Sequence, residues 1–120
     1  MDYNNSDCNC NQDCSFTKGI NYCLFVGLDD KNKKAQTIPT AQAVSFAQKV
    51  CAKYFTEGFT ILEGSGDDRG NLYNIETSLY IIAINATESS VIKVASILLK
   101  EFNISEVLIE KNLTNYLYFS

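Results

Sequence analysis

Short apolar segments alternate with polar ones along the chain, and several have the length and pattern of β-strands. The run NYCLFVGL at 21–28 is apolar on both faces, which is typical of a central strand. In 72–84, alternate residues share one face before the run becomes apolar throughout. The pattern predicts further strands at 59–63 and 106–111, and it indicates a short fifth strand at 116–119.

Two other segments repeat apolar residues at helical spacing. The first helix is predicted at about 41–55, with Thr40 after Pro39 as its N-cap. The second is predicted to begin after a cap at Thr87. Each helix has a stripe of residues predicted to face the core. These stripes are Ala43, Ala47, Val50, Cys51 and Tyr54 in the first helix, and Val91, Val94, Ala95, Leu98 and Phe102 in the second.

The order β-α-β-β-α-β is the split βαβ pattern, so we predict an α+β, ferredoxin-like fold for residues 19–120. In this fold two helices cover one face of a four-stranded antiparallel sheet. Residues 1–18 are rich in Asn, Asp and Cys and have no hydrophobic period, and we interpret them as a flexible tail.

The second face of the predicted sheet has no helix to cover it. Depending on register, it carries Phe25 or Leu24 together with Tyr80, Ile82 and Ile84. A lone domain would expose too much apolar area there. The sequence therefore predicts that this face pairs with another subunit, in a dimer or a higher homo-oligomer.

Composition narrows the range of partners. The chain has 120 residues, of which 46 % are apolar, and this suits one globular domain. The net charge is −4 and there is one arginine, which disfavours binding to nucleic acid. The first residues lack the apolar segment of a signal peptide, and no apolar run is long enough to span a membrane. We therefore expect a cytoplasmic protein with no membrane partner and no cofactor.

The five cysteines do not indicate a disulfide framework, because their number is odd. Cys23 and Cys51 lie in apolar segments and are predicted to be buried. The run CNCNQDC places Cys8, Cys10 and Cys14 within seven residues, which would suit a soft metal. A zinc site needs a fourth ligand, and the chain has no histidine, so incidental thiols in a tail are the alternative.

Candidate chemistry is concentrated in the stretch 58–84, where the turn GSGDDRG joins two predicted strands. This turn contains Arg69, and Glu63 and Glu76 flank it. Backbone N–H groups of such a turn can hold an anion, but the turn lacks the GK[ST] ending of a phosphate-binding loop. The alternatives are a loop of solvated charges and a hard-metal site at Asp67 and Asp68, for which two carboxylates are too few ligands.

The predicted third strand places Glu76, Ser78 and Tyr80 on one face. A partly buried Glu76 would need a cationic partner, such as the ammonium or sulfonium group of a ligand, or Arg69; an exposed residue near a strand end is the alternative. Tyr80 would stack against a ligand ring or pack in an interface. Without histidine, Ser-His and Cys-His nucleophile pairs are excluded. We predict a ligand site formed by Glu76, Arg69, Tyr80, Glu63 and Ser78, with no metal.

The segments YCLFVGLDDK, EGFTILEGSG and NIETSLYIIAI resemble a family of small uncharacterised bacterial and phage proteins of ferredoxin-like fold. That family shares a strand ending in GL, a G-[FY]-T-[IV] strand and an E-x-[ST] strand. More distantly, residues 58–111 are similar to phage S-adenosylmethionine lyases, trimers with ligand sites between subunits that cleave the sulfonium without metal. The resemblance implies that their strand-three glutamate corresponds to Glu76. An aromatic residue of their hairpin loop is replaced here by Asp67 and Asp68, and a polar residue before strand four by Ile104.

Three functions follow from these observations. The first is an oligomer that binds a nucleotide-derived small molecule at subunit interfaces, as a phage counter-defence sponge. The second, implied by the resemblance, is a lyase-like enzyme in which Glu76 holds the sulfonium substrate. The third is a protein–protein module whose acidic surface inhibits a partner.

Overall fold

The computed structural model describes residues 15–67, 70 and 72–120. Cys8, Cys10 and Cys14 of the predicted tail, and Arg69, lie outside these residues. The elements are β1 (Thr17–Gly27), α1 (Thr40–Tyr54), β2 (Phe59–Gly66), a 3₁₀ turn (Leu72–Asn74), β3 (Glu76–Ile84), α2 (Glu88–Glu101) and β4 (Leu108–Tyr116). The strands pair antiparallel in the order β2-β3-β1-β4, which confirms the predicted ferredoxin-like fold.

Both helices pack on one side of the sheet, where the core forms. Alternation along the strands sends Leu24 of β1 and Leu79 and Ile81 of β3 into this core, where all three are fully buried. Their partners from the helices are the predicted stripes, of which Tyr54 alone is only partly buried. We call the other side of the sheet the open face; Phe25, not Leu24, lies on it, since Phe25 pairs with Tyr80.

The start of α1 differs from the prediction. The N-cap position is Pro39, which makes no side-chain cap hydrogen bond, and Thr40 is the first helical residue. The prediction that Thr40 caps the helix is therefore wrong. Its hydroxyl instead accepts a hydrogen bond from the side chain of Gln36 at 2.9 Å. Further along α1, Cys51 is fully buried as predicted, and burial raises the pKa of its thiol to about 12.

The second helix begins as predicted. The side chain of Thr87 is the N-cap and accepts a hydrogen bond from the backbone N–H of Ser90 at 3.1 Å. Four of the predicted stripe residues of α2 are buried within the helix, and Phe102 is buried at its C-cap. In the part of the chain that the structure describes, neither helix is long and apolar enough to cross a membrane.

The strands differ from their predicted bounds. β1 begins at Thr17, and so includes two residues of the predicted tail, because β4 continues to Tyr116 and pairs with it. β2 continues to Gly66, and β3 begins at Glu76 after the turn at Leu72–Asn74. The prediction of a fifth strand at 116–119 is wrong, since Tyr116 ends β4 and the residues after it are irregular.

The connection from β1 to α1 is fixed to the end of α2 through Asp30. Its carboxylate is almost fully buried and accepts hydrogen bonds from the N–H groups of Asn32 and Lys33 and from the side chain of Asn103. These bonds, that from Asn103 first, lower the pKa of Asp30. The loop that leaves the end of β1 therefore has a defined position.

Candidate functional site

The open face carries a row of small residues between an apolar row and a row that contains a carboxylate. In an antiparallel sheet, paired residues project to the same side and line up across the strands. An apolar row crosses all four strands and consists of Leu62, Tyr80, Phe25 and Leu108. The next row is Gly64, Ser78 and Gly27, and the one after it pairs Gly66 with Glu76. We call the surface over the middle row the glycine-floored depression.

Two aromatic rings form one wall of this depression. Phe25 and Tyr80 pack with their ring centroids 4.7 Å apart and tilted by 44°. The Tyr80 hydroxyl donates a hydrogen bond to the Cys23 sulfur at 3.3 Å. This bond raises the pKa of the Tyr80 phenol, and burial adds to the effect. The ring of Tyr80 therefore has a fixed position on the open face.

Cys23 lies on the open face in the row next to this wall, and it confirms the predicted burial, since it is only 5 % exposed. Its sulfur also accepts a hydrogen bond from the side-chain amide of Asn112 on β4, at 3.7 Å. Cys23 thus connects the aromatic wall to the edge strand of the sheet.

Glu76 forms the opposite end of the depression. One oxygen of its carboxylate accepts a hydrogen bond from the backbone N–H of Asp29 at 2.9 Å, just after the end of β1. The carboxylate also lies over Gly27, where a Cβ atom would be 2.6–2.8 Å from it. Gly27 is therefore required by the close approach of this side chain. The half-buried carboxylate has a backbone donor as a partner and a defined orientation.

The structure brings together three of the five predicted site residues. Glu76, Ser78 and Tyr80 lie in line along the open face of β3. Glu63 pairs with Leu79, a core residue, so its side chain projects to the helix side of the sheet. Glu63 therefore does not lie beside Glu76, contrary to the expectation that both line one pocket.

The sequence analysis did not identify the two glycines of the depression. Gly27 ends an apolar run and Gly64 was assigned to a turn, and each is unremarkable in its own segment. Their relation to Ser78 depends on the pairing of three strands. A glycine within a strand is nonetheless a signal for close approach of a ligand or another backbone.

Concavities in the described part of the chain include two that contain no predicted site residue. One, of about 270 Å³, lies against both helices and includes Phe46, Lys49 and Phe102 in its lining. The other, of about 400 Å³, lies at the start of β1 and includes Lys18, Asn85 and Leu113. Among residues 15–67, 70 and 72–120, no three carboxylate or thiol side chains are grouped as metal ligands would be.

No protein-family model matches the chain, and no curated protein does. Among solved structures, it is similar to the nitrogen regulatory PII-like protein CPII from Thiomonas intermedia K12, bound to ADP, AMP and bicarbonate. The TM-score is 0.51 at 14 % identity, over 84 % of this chain and 94 % of that one. A phage S-adenosylmethionine lyase in complex with S-methyl-5′-thioadenosine gives a TM-score of 0.48 at 16 % identity, over 83 % and 90 %. The similar structures thus include the lyase family that the sequence resembles. The similarity to CPII shows a shared fold.

Proposed function

We propose that this protein binds a nucleotide-derived small molecule in the glycine-floored depression, which a second copy of the chain closes. The observation that carries this proposal is the row of Gly64, Ser78 and Gly27 between an aromatic wall and a carboxylate. Tyr80 and Glu76 are four residues apart on one strand, or roughly 13 Å. A planar ring system would lie over Gly64 and Ser78, which carry no large side chain, and would meet the Glu76 carboxylate where it covers Gly27.

The chemistry of the depression favours a ligand with an apolar ring and a polar group that donates hydrogen bonds. Phe25 and Tyr80 present apolar surface at one end. The Ser78 hydroxyl lies in the middle, and the Glu76 carboxylate at the far end attracts an amino, hydroxyl or sulfonium group. Arg69 stays a predicted partner for an anionic part of the ligand. That CPII, which shares the fold, is bound to ADP and AMP supports a ligand of this class.

Closure by a second copy is part of the proposal because the depression is open on the sheet surface. Leu62, Phe25 and Leu108 border it and are each at least one-third exposed. Apolar side chains grouped on one face are typical of surfaces that bind another protein. A copy of the chain packed on this face would bury these side chains and exclude water from the ligand.

The proposal is tested with the full chain against AMP, ADP, cyclic nucleotides, ADP-ribose, S-adenosylmethionine and methylthioadenosine. Thermal shift identifies a ligand, and calorimetry measures its affinity. Gly64→Val fills the floor, and it preserves the fold because a Cβ atom there meets nothing closer than the Ser78 oxygen at 3.8 Å. We expect this variant to lose about tenfold or more in affinity, since overfilling a packed site costs about 1–3 kcal/mol.

The control for Gly64→Val is Glu63→Gln, the neighbouring position on the helix side of the sheet, which should bind as the wild type does. A panel without any thermal shift would contradict the proposed function. Equal affinity of Gly64→Val and the wild type would show that the ligand does not bind in the depression. Chromatography for homoserine lactone and methylthioadenosine after incubation with S-adenosylmethionine distinguishes turnover from binding.

The biological role that we propose for this binding is counter-defence in phage infection. The sequence resemblance to phage lyases supports this role. A protein that sequesters a nucleotide signal would protect a phage from a defence that the signal activates. Expression of the wild type in a host with such a defence should restore plating of a sensitive phage. Gly64→Val should not restore it, and equal plating with both proteins would contradict the role.

A further inference from the structure

Part of the sheet extends beyond its other strands as a two-stranded ribbon. β3 pairs with β1 from Asn21 onward, whereas β4 pairs with β1 from Thr17. Among the described residues, Thr17–Gly19 therefore pair with β4 alone, at Thr114–Tyr116, whereas Ile20 also exchanges hydrogen bonds with Asn85. A two-stranded ribbon is marginally stable by itself in water. This ribbon needs a further partner to be as well supported as the rest of the sheet.

The outer edge of β4 is suited to provide that partner. The nine residues of β4 pair with β1 without a bulge, so the strand is regular along its whole length. Within the described part of the chain, its other edge has no strand beside it. Leu113 on this strand is 82 % exposed. A long, regular edge with exposed apolar residues is a template for pairing with another strand.

We propose that β4 pairs antiparallel with β4 of a second copy, about a two-fold axis at Asn112. Such an axis is perpendicular to the sheet and pairs open-face residues with open-face residues, so it lies midway between the two copies of one residue. An axis at Lys111 would oppose two ammonium groups, and an axis at Glu110 two carboxylates. Like charges directly opposite each other destabilise a strand pair. Asn112 is the midpoint of Leu108–Tyr116, so this register pairs all nine residues.

The register at Asn112 gives every charged residue of the strand a neutral partner. Glu110 lies opposite Thr114, and Lys111 lies opposite Leu113. The β4 half of the ribbon then has a strand on each side, because Leu113–Tyr116 pairs with β1 of its own copy and with β4 of the second. Two four-stranded sheets become one sheet of eight strands. This contact uses the edge of the sheet and is distinct from the open-face contact proposed above.

The sign of a charge at position 113 tests the pairing. Leu113→Lys places an ammonium group opposite Lys111 of the second copy, twice per dimer, whereas Leu113→Glu places a carboxylate there. We expect Leu113→Lys to raise the dissociation constant by about tenfold or more. Leu113→Glu should keep it within about threefold of the wild type. Both substitutions are at an exposed position, so the fold should tolerate them.

Sedimentation over a concentration series measures these dissociation constants. The double variant Leu113→Lys with Lys111→Glu restores opposite charges across the axis and should recover the wild-type value. The proposal also predicts that hydrogen exchange in β4 slows as the wild-type protein concentration rises. Equal weakening by both single variants, or no recovery in the double variant, would overturn the register. A wild type whose β4 exchange is independent of concentration would overturn the edge contact but leave the open-face contact standing.

Discussion

The carboxylate of Glu76 connects two segments that are distant in the sequence. It lies at the start of β3, covers Gly27 at the end of β1 and accepts a hydrogen bond from Asp29, 47 residues away. The sequence identified Glu76 as an unusual residue, because carboxylates are rare among apolar strand residues. It did not identify the partner, since nothing local marks Asp29 as the donor. A ligand at Glu76 would contact an oriented carboxylate.

Gly27→Ala should destabilise the protein because the added Cβ would lie 2.6–2.8 Å from the Glu76 carboxylate and displace it. Moving the carboxylate strains the strand end and weakens the hydrogen bond to Asp29. We expect a loss of about 1–3 kcal/mol in the free energy of unfolding, measured by urea denaturation. The control is Gly64→Ala on the same row, where the nearest atom is at 3.8 Å and the change should be about 0.5 kcal/mol or less. Equal stability of the two variants would refute this role of Gly27.

At the scale of elements, the predicted positions of the helices agree with the structure more closely than the predicted bounds of the strands do. A helix buries residues at a spacing that is visible in its own segment, and both predicted stripes were found at the core. Strand ends depend on a partner: β1 begins at Thr17 only because Tyr116 lies opposite it. The two helix starts show the same contrast. Thr87 and Thr40 are similar in sequence, but the loop before α1 uses the Thr40 hydroxyl to hold Gln36.

Thr87→Ala should therefore destabilise the protein more than Thr40→Ala. The Thr87 side chain accepts a hydrogen bond from a backbone N–H at the start of α2, and loss of such a cap costs about 1 kcal/mol. The Thr40 side chain caps no backbone N–H, so its replacement should lower the free energy of unfolding by about 0.5 kcal/mol or less. Urea denaturation of both variants under the same conditions measures the difference. A larger loss for Thr40→Ala would show that the start of α1 depends on its hydroxyl.

At the scale of the whole molecule, the helices cover one side of the sheet, and within the described residues no helix or strand covers the open face. Leu62 on this face is 51 % exposed, and it lies in the same apolar row as Tyr80 and Phe25. Association through this face would explain why apolar residues recur there. The same association would complete the glycine-floored depression, so self-association and ligand binding should change together.

Leu62→Lys should weaken self-association through the open face. Burying an ammonium group without a partner is unfavourable, and we expect the dissociation constant to rise by about tenfold or more. The matched control is Ile92→Lys on α2, where the side chain is 52 % exposed on the helix layer. Sedimentation compares both variants with the wild type. Equal association of Leu62→Lys and the wild type would contradict an interface on the open face.

The hydrophobic periods of the chain specify two helices, four strands and their order, because burial of one helix stripe or one strand face is a property of neighbouring residues. They therefore determine the ferredoxin-like fold and the existence of an uncovered sheet face. The pairing register is set between strands that are far apart in sequence. That register moves Glu63 to the side opposite Glu76, aligns Gly64 and Gly27 beside Ser78, and makes Asn112 the midpoint of an edge. A shift of one residue between β2 and β3 would reverse the faces of Glu63 and Gly64, because successive residues of a strand face opposite sides.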